Sequence, residues 1–218
     1  MERTSWKCEG LPTHLATSGD GLLVASGGAG LLLYDWKARD AEPILKGRFP
    51  YVDYTKEIAF DAKGIAYLAD NFETGLQVVD GRDLLKPKLL AMRTGGFADS
   101  VAVHGALLAV GNRQRGTQFY DIGNPLEPRL LGAVPAGKSA TGKAGIPKAV
   151  DFDARGRLLI CEGPAGARLV EPVVTDGVLA VRDLKKIPVD SALDAVFLPG
   201  GILATATDKG TVVLCPID

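Results

Sequence analysis

A chain of 218 residues, 46% hydrophobic and 23% charged, has the makeup of a globular protein with a real core. Its 25 Lys and Arg against 26 Asp and Glu leave a formal charge of −1, which excludes the basic footprint of a nucleic-acid binder. No apolar run reaches the roughly 18 residues that a membrane-crossing helix needs.

The 27 glycines and 13 prolines point to many short strands joined by tight turns. In chain order, the opening MERTSWKCEG lacks the apolar stretch of a secretory signal. The three cysteines, Cys8, Cys161 and Cys215, do not form the even set of a disulfide framework and are expected as free thiols. A cytoplasmic location is therefore expected, unless an export signal has been removed.

Five stretches then read as strand, glycine-containing turn, strand. They are GLLVASGGAGLLLYDW from Gly21, GIAYLADNFETGLQVVD from Gly64, GALLAVGNRQRGTQFYDI from Gly105, GRLLICEGPAGARLVEP from Gly156 and GILATATDKGTVVLCP from Gly201. The second strand of each pair ends at Asp35, Asp80, Asp121, Glu171 and Cys215. Those ends recur every forty-odd residues, the period of four-stranded propeller blades. Upstream of each pair lies another apolar segment, such as Ile58–Phe60 or Val101–Val103. Downstream, the first three copies add a strand led by Pro43, Pro87 or Pro128, and the fourth places Val178–Val181 there.

The expected fold is therefore all-β, a five-bladed β-propeller with four antiparallel strands per blade. It forms a single domain over residues 1–218, with blades at about 14–49, 57–93, 100–134, 149–186 and 194–218. The fifth copy stops after its third strand. Aligning Thr13–Leu15 with Asp99–Val101 places Trp6 on Met92. Residues 3–8 are thus expected to close the last blade as its outer strand, beside Val213, which would cover an open sheet edge.

The block TGLQVVDGRDLLKPKLLAMRTGGFADSVAVHGALLAVG, from Thr74, resembles the LVIVD-repeat family, whose units run roughly GLxVVDxxxPxxPxLLGxxxTxGxAxDVAVxGxxAYVAD. Residues 64–134 carry the likeness best. The resemblance implies a propeller; it implies little about activity, because such repeats are known mainly from uncharacterised, often cell-surface, proteins.

In a propeller the first strands line the axis, and the loops entering them share a face with the loops joining second to third strands. Ligands gather on that face. The alignment brings His14, Glu57, Asp99, Lys148 and Asp194 to the mouths of the first strands. Asp70, Phe72, Asn112, Arg113, Arg115, Glu162 and Asp208 lie in the second-to-third loops. Tyr51 and Tyr54 border the second blade, and PAGKSATGKAGIPK from Pro135 leads into the fourth. Together these form a mixed-charge, aromatic-bordered binding face.

Gly137–Ala144 matches a phosphate-binding G-x-x-x-x-G-K loop until Ala144 takes the place of the hydroxyl residue that holds Mg²⁺. Gly145 and Pro147 also prevent the helix that must follow, so the segment reads as a cationic lid. With only two histidines no zinc site is expected. No cofactor is expected, although oxygen ligands at the mouth leave Ca²⁺ possible. The functional expectation is a monomeric, non-catalytic scaffold presenting this face to a protein, peptide or small polar ligand, with no nucleic acid and no membrane. The alternative is a hydrolase or lyase of glycosidase type using Glu57, Asp99 and Asp194 as axial carboxylates.

Overall fold

The computed structural model describes residues 5–18, 20–37, 42–49, 52, 54–72, 74–83 and 86–217. The described residues contain strands, turns and bends but no helix. Nineteen strands form five antiparallel sheets, each drawn from one repeat in sequence order. The fold is that of a five-bladed β-propeller. Two compact units divide the chain, residues 1–98 and 99–218.

The first unit holds two sheets. One comprises β1 (His14–Ser18), β2 (Gly21–Ala25), β3 (Leu31–Asp35) and β4 (Ile44–Phe49). The other comprises β5 (Thr55–Phe60), β6 (Ile65–Asp70), β7 (Leu76–Asp80) and β8 (Lys88–Arg93). Every residue of β6 is buried. A strand buried on both faces reads as a continuous apolar run rather than an alternation, and IAYLAD is such a run. Leu23, Leu31, Leu33 and Phe49 of one sheet pack against Ile58, Leu68 and Val79 of the other. A fully buried Leu or Phe contributes roughly 1.5–3 kcal/mol, so this contact is the unit's main adhesive.

The second unit holds three sheets. They are β9 (Ala98–His104), β10 (Leu107–Asn112), β11 (Gly116–Asp121) and β12 (Arg129–Val134); then β13 (Ala149–Phe152), β14 (Leu158–Cys161), β15 (Ala167–Thr175) and β16 (Val178–Ile187); and finally β17 (Ala192–Leu198), β18 (Ile202–Thr207) and β19 (Val212–Pro216). Phe119, Leu158 and Ile160 fill one intersheet core; Leu159, Leu169 and Leu203 fill the next. The fourth sheet's outer hairpin exceeds expectation: β15 and β16 pair all the way to Thr175 and Val178. Asp176 and Gly177, both at positive φ, make the two-residue turn that Asp-Gly favours.

The residues that mark the period have a structural job. Asp80 and Asp121 end their third strands, Glu171 lies within β15, and the three pair with Arg82, Arg129 and Arg182. Hydrogen bonds from the Arg82 side chain and amide hold the Asp80 carboxyl at about 2.

One expectation fails. The fifth sheet has three strands among the described residues, and Ser5–Cys8 of the expected closing segment are in no strand. Residues 1–4 lie outside the described residues. Ser5–Cys8 adopt no regular structure, and Trp6 and Cys8 pack on Leu22, Val24, Leu32 and Tyr34 of the first sheet. The Trp6 ring lies 6.5 Å from both Tyr34 and Trp36. Aromatic pairing with Tyr34 and Trp36 adds to the burial of Trp6.

Candidate functional site

In the first unit the structure joins three of the expected residues. Asp70 is completely buried, and its carboxylate accepts hydrogen bonds from the Tyr54 amide at 3.2 Å and the Phe72 amide at 3.2 Å. The Asn71 amide donates to the Tyr54 carbonyl at 3.0 Å. These bonds tie the loop entering β5 to the loop joining β6 and β7. Above them the Tyr54 and Phe72 rings meet edge to face at 5.9 Å, and the Lys56 ammonium sits 5.3 Å from the Tyr54 ring centre. Phe72 remains 48% exposed. Phe72 is thus an accessible aromatic on a tightly fixed loop.

Elsewhere in that unit, Glu57 is half-buried on β5. His14 borders a cavity of about 670 Å³ shared with Trp6, Cys8, Thr13, Leu15 and Val24. Tyr51 lies outside the described residues.

In the second unit most of the expected residues serve structure. Asp99, buried, accepts two hydrogen bonds from the Arg113 guanidinium, at 2.6 and 3.1 Å. Asn112 accepts the Gln114 and Arg115 amides at 3.0 Å, which turns the loop after β10. Glu162, also buried, accepts the Gly137 amide at 3.1 Å and the Arg168 guanidinium at 2.9 Å. Arg168 further donates to the Pro135 carbonyl at 2.7 Å. It therefore locks the start of the Gly/Lys segment onto β15. Arg168 was missed in the sequence; its only signal is a lone charge inside the apolar run of β15.

Asp194 accepts the Ala195 amide at 2.8 Å and acts electrostatically on Asp151. Burial pushes the Asp151 carboxyl above its ordinary range; the Phe152 amide opposes this, and the charges of Asp194 and Asp153 reinforce it. Asp151 was not foreseen, because one acidic residue within Val150–Phe152 looks like an ordinary outward position. Among the described residues no group of three or more His, Cys, Asp or Glu is placed to hold a metal ion. Cys8, Cys161 and Cys215 form no disulfide.

The Gly/Lys segment forms a small hairpin bridged at Lys138 and Ala144. Within it Ser139 donates its amide to the Lys143 carbonyl and Gly142 donates to Ser139. The hairpin walls a second cavity, of about 430 Å³, together with Lys186, Val189, Ser191, Asp208 and Lys209. Lys148 does not line this cavity; its amide donates to the Cys161 carbonyl at 2.7 Å, pinning the entry to β13.

No protein-family model matches the chain, and no curated protein matches it in sequence. Solved structures match in shape at low identity. The structure of U3-55K aligns at 12% identity and a TM-score of 0.73, over 97% of this chain and 63% of that one. A chain of the mitotic checkpoint complex aligns at 14% and 0.71, over 95% and 64%. The WD40 repeats of RRP9 align at 12% and 0.69, over 98% and 62%. At this identity the likeness concerns the fold alone. The chain spans about three fifths of the length of these structures.

Proposed function

We propose that this protein is an interaction scaffold that holds a protein or peptide partner on the loops joining its second and third strands. The observation that carries the reading is Phe72: exposed, stacked on Tyr54, flanked by Lys56, on a loop that the buried Asp70 carboxylate fixes in place. Binding energy concentrates on a few aromatic anchors whose conformation is set before the partner arrives, since little side-chain entropy is then lost on docking. The formal charge of −1 favours a polypeptide partner over nucleic acid. Two of the shape relatives support the same reading, one being a chain of the mitotic checkpoint complex and another coming from a nidogen–laminin complex. The likeness of residues 64–134 to the LVIVD repeat belongs to this reading as its family assignment, and a cytoplasmic site of action as its location.

The test is affinity capture with the full chain from extract of its source cells, run beside Phe72→Ser. A partner retained in stoichiometric amount by the native chain and lost by Phe72→Ser is expected. Equal retention by both chains would remove the docking surface proposed here.

A further inference from the structure

The cavity of about 430 Å³ in the second unit carries chemistry that the scaffold reading does not use. One wall is the hairpin, with Ser139, Thr141 and Lys143; another is the end of β16 with Lys186 and the connection to β17 with Val189, Asp190 and Ser191; the turn after β18 adds Asp208 and Lys209. Ala165 and Val189 are buried and form an apolar floor.

Its charges are segregated. Lys209 is 2.6 Å from Asp190, and this pairing holds the Asp190 carboxyl below its ordinary range, so these two largely cancel. Asp208 stands beside Lys209 in the same turn. On the hairpin side, the Lys186 ammonium reaches only the Lys138 carbonyl, at 3.3 Å. The Lys143 ammonium has no carboxylate partner among the described residues. Two uncompensated cations therefore face the cavity, Lys143 from the hairpin and Lys186 from β16 beside it.

The hydroxyls of the hairpin are ordered for donation. The Lys143 amide donates to Ser139 Oγ at 3.0 Å, and Ser139 Oγ lies 3.1 Å from Thr141 Oγ1. Whichever hydroxyl donates in that contact, the other keeps a proton to offer an incoming group. Ser191 is held at φ 57, a left-handed conformation that is strained for a serine and persists only where the surrounding structure enforces it. Its carbonyl accepts the Asp208 amide at 3.2 Å, which fixes the residue at the cavity edge.

We propose that this cavity is a binding site for a phosphomonoester. Lysines act on phosphate as point charges, whereas carboxylates are best gripped by the planar fork of arginine, and no arginine lines the cavity. The mode differs from that of a nucleotide-hydrolysing loop. The Ser139, Gly142, Lys143 and Gly145 amides are spent on bonds within the hairpin, so side chains rather than backbone N–H groups meet the anion. A volume in the lower part of the range for small-molecule sites admits one phosphorylated side chain or one small phosphate ester.

The experiment is a titration of the full chain, followed by amide resonances and by calorimetry. The probes are N-acetyl-phosphoserine amide, N-acetyl-serine amide and adenosine monophosphate. Saturable shifts at Ser139, Lys143 and Ser191 are expected with both phosphate probes, with at least about ten-fold weaker binding of the unphosphorylated serine. Lys143→Ala with Lys186→Ala should weaken phosphate binding at least about ten-fold without moving the melting temperature, while Lys88→Ala on β8 changes neither. Tighter binding of phosphoserine assigns the site to a modified protein, and tighter binding of the nucleotide assigns it to a free phosphate ester. Equal response to serine and phosphoserine, or undiminished binding by the double variant, would overturn the proposal. Loss of Phe72-dependent capture with phosphate binding intact would separate this site from the scaffold reading.

Discussion

At the scale of single residues, the work of a buried carboxylate is decided by the group that faces it. Asp99, expected as an axial carboxylate, is buried and gripped by Arg113 fourteen residues away. Removing one partner of such a pair strands the other charge. Because Arg113 keeps a solvent-facing side, Asp99→Asn should cost about 1–3 kcal/mol in urea unfolding, and no change in midpoint would refute the pairing. Asp151 gives a prediction with a definite sign. Its folded-state pKa lies above that of the unfolded chain, chiefly through burial, so the fold favours the protonated form. That contribution is whole below the unfolded value, near about 3.9, and is lost as pH rises through the folded one. Asp151→Asn should therefore melt higher than the native chain at about pH 7, with the gap closing as pH falls toward about 4. A melting temperature lowered at neutral pH would show that the carboxylate is stabilising instead.

At the scale of elements, a glycine at positive φ opens the third strand in four of the five sheets, at Gly30, Gly75, Gly116 and Gly166. Gly116 has φ +76, and a Cβ there would meet the Val134 carbonyl oxygen of the outer strand at 2.2 Å. In the fifth sheet Thr211 takes that place opposite Thr207, and Gly210, at φ +72, falls one residue earlier in the turn, where a Cβ would meet nothing within 4 Å. Gly116→Ala must bear both backbone strain and a clash with fixed backbone, whereas Gly210→Ala bears strain alone, about 1 kcal/mol. Thermal unfolding should rank Gly116→Ala well below Gly210→Ala, and equal losses would show that the outer strand yields to the added methyl. The repeat itself was legible because turn glycines and strand-ending acids recur whatever lies between them. The length of the β15–β16 hairpin was not, since the Asp-Gly turn at Asp176 and Gly177 was passed over in favour of the period.

At the scale of the whole molecule, five sheets from five repeats followed directly from periodicity, because each copy is a local unit that pairs with its own neighbours in sequence. Closure by residues 3–8 was a different kind of inference. It concerned a contact between chain segments two hundred residues apart, which no period encodes, and the Trp6 side chain packs on Tyr34 and Trp36. The fifth sheet differs from the other four. Central strands elsewhere are buried along almost their whole length, but β18 alternates buried and half-buried residues. Through the register of Val196 with Ala204, Ala204 with Leu214, and Ala206 with Val212, one face of this sheet is a continuous apolar surface, with Val212 68% and Leu214 62% exposed. An exposed apolar edge strand attracts other strands unless charge blunts it. Val212→Lys combined with Leu214→Lys should therefore reduce light scattering from concentrated solutions. Neither side chain is packed, so the melting temperature should shift by no more than about 2 °C. A fall well beyond that would mean that something in the folded molecule already covers this face.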